Sequence, residues 1–71
     1  MIKASRKKQR ITQKQLAQRC KLTQSYISKL ERSSKNNSNP TIKQIITIAK
    51  VLNLNAYELS YWFIEKELNN N

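Results

Sequence analysis

Glycine, histidine and aspartate are absent from the sequence, and proline, cysteine, methionine, tryptophan and phenylalanine each occur once. Each absence excludes something. Without His and with a single Cys, the chain lacks the common metal ligands and the commonest general base, and it cannot form an internal disulfide. No nucleophile–base or carboxylate pair is spaced for catalysis, so no enzyme, metal or cofactor is expected. No apolar run approaches the ~18 residues that a membrane span needs, and the basic N-terminal segment lacks a signal peptide's apolar stretch. These features predict a cytoplasmic protein that uses no membrane. With no Gly, one Pro, and β-branched residues placed singly rather than in alternation, the composition predicts an all-helical fold.

What the chain does have is positive charge. Fourteen Lys and Arg face four Glu, giving +10 at pH 7 on 71 residues. Residues 1–35 hold eleven basic residues and one acid, whereas residues 36–71 hold three of each. A charge added only for solubility would be spread over the whole surface, so the first half is expected to meet a polyanion. The length predicts one domain spanning residues 1–71. A chain of this size buries only about 60% of its unfolded surface, so a second subunit would help it.

Helix starts are written clearly. Thr12 and Gln15 have capping-box spacing, with Ile11 and Leu16 placed as a hydrophobic staple. Leu22 and Ile27 bracket Thr23 in the same way, which puts a second helix start only three residues after the first helix ends near Cys20. Thr41 with Gln44 repeats the box after Pro40, and Ile42, Ile45, Ile46, Ala49 and Leu52 follow at helical spacing. Asn55 with Glu58, stapled by Leu54 and Leu59, opens the last helix. Residues 2–9 predict a short first helix whose apolar positions are Ile2 and Ala4, and the polar run from Arg32 to Asn39 predicts a solvated loop.

Two short helices joined by a three-residue turn near the basic end form a helix-turn-helix over about residues 12–31. Ala17 supplies the small residue at the helix crossing, Ile27 and Leu30 face it, and Cys20 falls on the same buried side as a small core residue. The stretch QKQLAQRCKLTQSYISKLE, from Gln13 to Glu31, resembles the Cro/CI-type (Xre-type) helix-turn-helix family of phage repressors and bacterial regulators. Arg6, Thr12, Gln13, Leu16, Ala17 and Glu31 carry the likeness, which extends from residue 3 to about residue 60. The resemblance implies a five-helix, lambda-repressor-like domain with the helix-turn-helix at helices 2 and 3. It also implies an ion pair between Arg6 and Glu31. The family usually has Gly in the turn between helices 2 and 3 and often another after the recognition helix. Here Lys21 and Ser33 stand at those places, and a non-Gly residue at positive φ is expected to cost about 1 kcal/mol.

A recognition helix lies in the major groove with its first turns toward the base edges. With Ile27 and Leu30 facing inward, Gln24, Ser25, Ser28 and Lys29 are the expected base readers: Gln pairs with adenine, Lys with guanine, and Ser with either. The resemblance points independently to Gln24, Ser25 and Lys29. Phosphate contacts are expected from Arg6, Arg10, Gln13, Thr23, Arg32, Lys35, Asn36 and Asn37. Tyr26 stands at the margin, either on a phosphate or thymine methyl or packed against the loop.

The last helix, about residues 56–68, has more apolar surface than one small domain uses. Ala56, Leu59 and Phe63 fit a core stripe, leaving Tyr57, Tyr61, Ile64 and Leu68 as a seam with Trp62 beside it. The expected assembly is a homodimer on double-stranded DNA with no small-molecule ligand, acting as an operator-binding regulator of its own or a neighbouring operon. The alternative is an antitoxin or accessory DNA-binding protein whose last helix binds another protein.

Overall fold

The computed structural model describes residues 1–32 and 39–69. Within them lie five helices: α1 (Ile2–Lys8), α2 (Gln13–Cys20), α3 (Gln24–Glu31), α4 (Ile42–Leu52) and α5 (Ala56–Leu68), with no strand among the described residues. The fold is the all-α, lambda-repressor-like arrangement, with the helix-turn-helix at α2 and α3.

Four of the five starts are fixed by side-chain caps. Thr12 Oγ1 accepts from the Gln15 amide at 3.0 Å while Gln15 Oε1 accepts from the Thr12 amide at 2.9 Å, and Thr41 and Gln44 make the same reciprocal pair at 3.1 and 3.0 Å. Thr23 Oγ1 caps α3 through the Tyr26 amide, and Asn55 Oδ1 takes the amides of Tyr57 and Glu58. Each cap satisfies amides that the first helical turn otherwise leaves without a partner.

The ends of α1, α2 and α4 share one device. Arg10, Lys21 and Asn53 sit at φ of 58°, 57° and 55°, the left-handed region. The residue after each, Ile11, Leu22 or Leu54, sends its amide back to the carbonyl of Arg6, Ala17 or Ala49 at 3.0, 2.8 and 2.8 Å. This is the Schellman closure, built without glycine. The same apolar residue then precedes the next cap, so three consecutive residues end one helix and begin another. Ser33, the second position where the family favours Gly, lies outside the described residues.

The core gathers one side of every helix. Ile2, Leu16, Ile27, Leu30, Ile48, Leu52 and Leu59 are fully buried, and Ala17, Cys20, Ala49 and Phe63 pack among them. Burial pushes the Cys20 thiol above its ordinary range, which suits an inert core residue. Gln9 Nε2 donates to the Leu52 carbonyl at 2.7 Å and ties α1 to the end of α4.

Three placements depend on which neighbour each helix meets. In α1 the second inward residue is Arg6 and not Ala4, which is exposed; Arg6 lies one turn from Ile2 on the same face. In α4 the buried arc runs through Ile45, Ile48, Ala49 and Leu52, leaving Ile42 and Ile46 exposed. The apolar stripe on α4 is wider than the core, and α5 covers only one edge of it. Trp62, expected beside the seam, is half-buried and packs against the core, its ring edge-on to Phe63 with centroids 4.8 Å apart. At 100° per residue, position 62 points well away from the line through Tyr57, Tyr61, Ile64 and Leu68.

Candidate nucleic-acid interface

The recognition-helix surface rests on a buried polar joint. Arg6 Nε donates to Glu31 Oε2 at 2.7 Å and Nη2 donates to Oε1 at 3.2 Å, a bidentate pair whose side chains are 10% and 4% exposed. Arg6 Nη1 donates to the Ile11 carbonyl at 2.9 Å, and Gln13 Nε2 donates to Glu31 Oε1 at 2.9 Å. One carboxylate at the end of α3 thus holds α1 and the first turn of α2. Burial alone raises the Glu31 pKa, but the hydrogen bonds from Arg6 and Gln13, with the charges of Arg6 and Lys3, outweigh it and hold the carboxyl below its ordinary value.

This joint also shapes the field. Glu31 is the one acid of residues 1–35 and it is turned inward, so no carboxylate from that half offsets the outward charge. Gln13, Gln24, Ser25, Ser28, Lys29 and Arg32 line one concave surface of about 410 Å³ between the start of α2 and the exposed face of α3. All four expected base readers are therefore together, with two of the expected phosphate contacts beside them. The surface holds amides, hydroxyls and cations, the donor and acceptor set that base edges and phosphates require.

The remaining expected contacts are placed differently. Arg10 and Thr23 are exposed but outside the concavity, and the Thr23 hydroxyl oxygen is engaged in capping α3. Arg6 does not present a free head to a phosphate: its guanidinium is buried and bonded to Glu31 and Ile11, because α1 packs that side of the helix inward. Tyr26 donates its hydroxyl to Gln44 Oε1 at 2.9 Å, a contact with α4 that neither reading named. Lys35, Asn36 and Asn37 lie outside the described residues.

The bonds of Gln13 to Glu31 and of Tyr26 to Gln44 escape sequence reasoning because they join residues eighteen positions apart. A signal for the first was present: Gln13 opens α2 beside the Thr12 cap, where its side chain is free to reach the neighbouring helix end.

The described helices include none long and apolar enough to cross a membrane, and no cluster of three metal-ligating side chains occurs among the described residues. No curated protein and no solved structure matches the chain. Residues 2–59 match the protein family described as Helix-turn-helix, from the start of α1 into α5. With this match over most of its length, and a helix-turn-helix whose outward face is basic and amide-rich, the chain belongs to the Cro/CI-type helix-turn-helix family of DNA-binding regulators.

Proposed function

We propose that the protein is a sequence-specific transcriptional regulator that binds an operator as a homodimer, with α3 in the major groove, and that it regulates its own promoter. Gln24, Ser25, Ser28 and Lys29 read base edges, while Gln13, Arg32 and the exposed Arg10 hold the backbone. The observation that carries the reading is the concave surface joining those four readers to Gln13 and Arg32 with no carboxylate in it. Size supports the dimer: the chain measures 32 × 23 × 21 Å, whereas successive major-groove faces of one duplex lie about 34 Å apart, so one copy spans one half-site.

A gel-shift titration at about 150 mM salt tests this, comparing DNA from immediately upstream of the protein's own gene with a scrambled duplex of equal composition. Selective retardation by roughly 10³-fold, over an inverted repeat, is the expected result. Equal, steeply salt-dependent retardation of both would replace it with a nonspecific DNA-holding role. The exposed apolar face of α5 favours one second reading, an antitoxin or accessory factor that uses this face for a different protein. A purified chain that is monomeric by itself would support that second reading.

A further inference from the structure

The recognition helix α3 is tied to other helices by polar contacts near both of its ends. At its C-terminal end Glu31 accepts from Arg6 of α1 and Gln13 of α2. In its first turn the Tyr26 hydroxyl donates to Gln44 Oε1 of α4 at 2.9 Å. That oxygen also accepts the Thr41 amide at 3.0 Å and so completes the α4 capping box, which uses both of its lone pairs. The box fixes the Gln44 side chain from the α4 side, since Thr41 Oγ1 accepts the Gln44 amide at 3.1 Å. Gln44 and Tyr26 are both half-buried, and the Tyr26 ring packs against the core. Neither lines the concave surface of the base readers; both line a separate cleft beside Thr23 and Thr41.

We propose that Tyr26 and Gln44 are positioning residues for sequence reading, which together set the roll of α3 that aims Gln24, Ser25 and Ser28 at base edges. The proposal rests on the reading of α3 as the base-reading helix and adds what holds its angle. Ile27 and Leu30, the fully buried residues of α3, stand about 60° apart around the helix axis. So narrow a stripe fixes the depth of the helix but leaves a small roll about its axis open. Glu31 lies about 40° to one side of Ile27, and Tyr26 about 40° beyond Leu30 on the other, so the two polar contacts flank the stripe. A roll in either direction must stretch one of them. At the roughly 5–6 Å radius of the side chains, a roll of about 10° moves a base-reading group by about 1 Å. Hydrogen bonds tolerate only about 0.5 Å of spread, from roughly 2.7 to 3.2 Å, so a roll of that size costs base contacts. A side chain of α4 thereby contributes to specificity without standing on the reading surface.

The test compares two duplexes of equal length: the one that the full chain selects most tightly from a random-sequence pool, and an unselected one. The readout is the ratio of the two affinities at about 0.15 M salt. Tyr26→Phe keeps the packed ring and loses only the hydroxyl. It is expected to lower the ratio roughly tenfold, within the loss of one base contact, while affinity for the unselected duplex stays within about twofold. Gln44→Met removes the acceptor and should lower the ratio by the same factor, and the double change should lower it no further, because both remove one contact. Gln44→Glu retains an acceptor and the capping box, and should retain the ratio. An equal fall on both duplexes would make Tyr26 a phosphate contact and overturn the proposal. An unchanged ratio, whatever happens to the urea midpoint, would reduce the bond to a structural one, and additive losses would break the link between the two residues. If the wild-type chain enriches no sequence from the pool, base reading by α3 fails first, and the positioning role falls with it.

Discussion

Arg6 in the basic half and Lys66 in the neutral half are both shielded cations, and the fold treats them differently. Arg6 has a bidentate carboxylate and a backbone carbonyl, so every element that touches it is held in place. The Lys66 ammonium is shielded with no hydrogen-bond partner among the described residues, 5.4 Å from the Trp62 ring centroid and 5.7 Å from that of Phe63. Desolvation holds its pKa below the lysine range, with the Glu67 charge only partly opposing it. The cation beside the recognition helix is held by directional polar contacts, whereas the cation on α5 is held against aromatic rings. Polar joints fix angles; apolar contacts fix proximity and leave orientation looser.

Substitutions can break this contrast. The largest effect is expected from Glu31→Ala, which leaves the Arg6 guanidinium buried without a counter-charge and removes the acceptor of Gln13. Breaking one side of a buried pair costs about 3–5 kcal/mol, enough to take most of the stability of a small domain, and a urea melt reads it. The double change Arg6→Met with Glu31→Leu should recover much of that loss without restoring DNA affinity, since Gln13 stays untied. Recovered affinity would show that the joint serves folding alone. The same carboxylate makes stability depend on acid. Its folded-state pKa lies below the ordinary 4.5, so its contribution is present above that pH and lost as pH falls through the folded value. Thermal melts between pH 6 and pH 3 should show this decline, and Glu31→Gln should flatten it.

Next comes the reading face. Gln24→Ala is expected to cost about 1–3 kcal/mol on the operator and to relax preference at one base pair, whereas Arg32→Ala should weaken all DNA about equally and reduce the salt slope. If both act uniformly in binding titrations, the assignment of Gln24 to base reading fails. Lys21→Gly removes a Cβ from a residue at φ 57° and should stabilise the chain by about 1 kcal/mol, a rise in Tm of roughly 4–8 °C. The smallest change is expected at Lys66→Met. Losing the aromatic–cation attraction offsets part of the gain from removing a desolvated amine, so the net stabilisation should stay under about 1 kcal/mol. A clear loss would mean that Lys66 holds α5 more firmly than its contacts suggest.

Much of this architecture was legible in the residues because its signals are local. Thr12 with Gln15 and Thr41 with Gln44 mark helix starts within four residues, and each forms the expected reciprocal bonds. The missing glycine at Lys21 announced a left-handed non-glycine residue, which is present. What stayed hidden depends on which neighbour arrives. Periodicity on α4 defines a stripe through Ile42 and Ile46 but cannot say which edge α5 will cover. Trp62 illustrates the same gap, since an aromatic beside a seam serves the core or the surface according to about 100° of helix rotation. Tyr26 had two readings, and its bond to Gln44, on a different helix, is a third that no local pattern announces.

The joint between Arg6, Glu31 and Gln13 has a further consequence for the thermodynamics of recognition. Side chains that must be immobilised on binding lose rotamer entropy of about 0.5–1.5 kcal/mol each. Gln13 is already held by Glu31 before any duplex arrives, and α1, α2 and α3 are locked together by the same carboxylate. That part of the ordering is complete in the free protein. Association should therefore begin from a face whose helix angles are set, leaving the exposed ends of Gln24 and Lys29 as the adaptable parts that settle onto the bases.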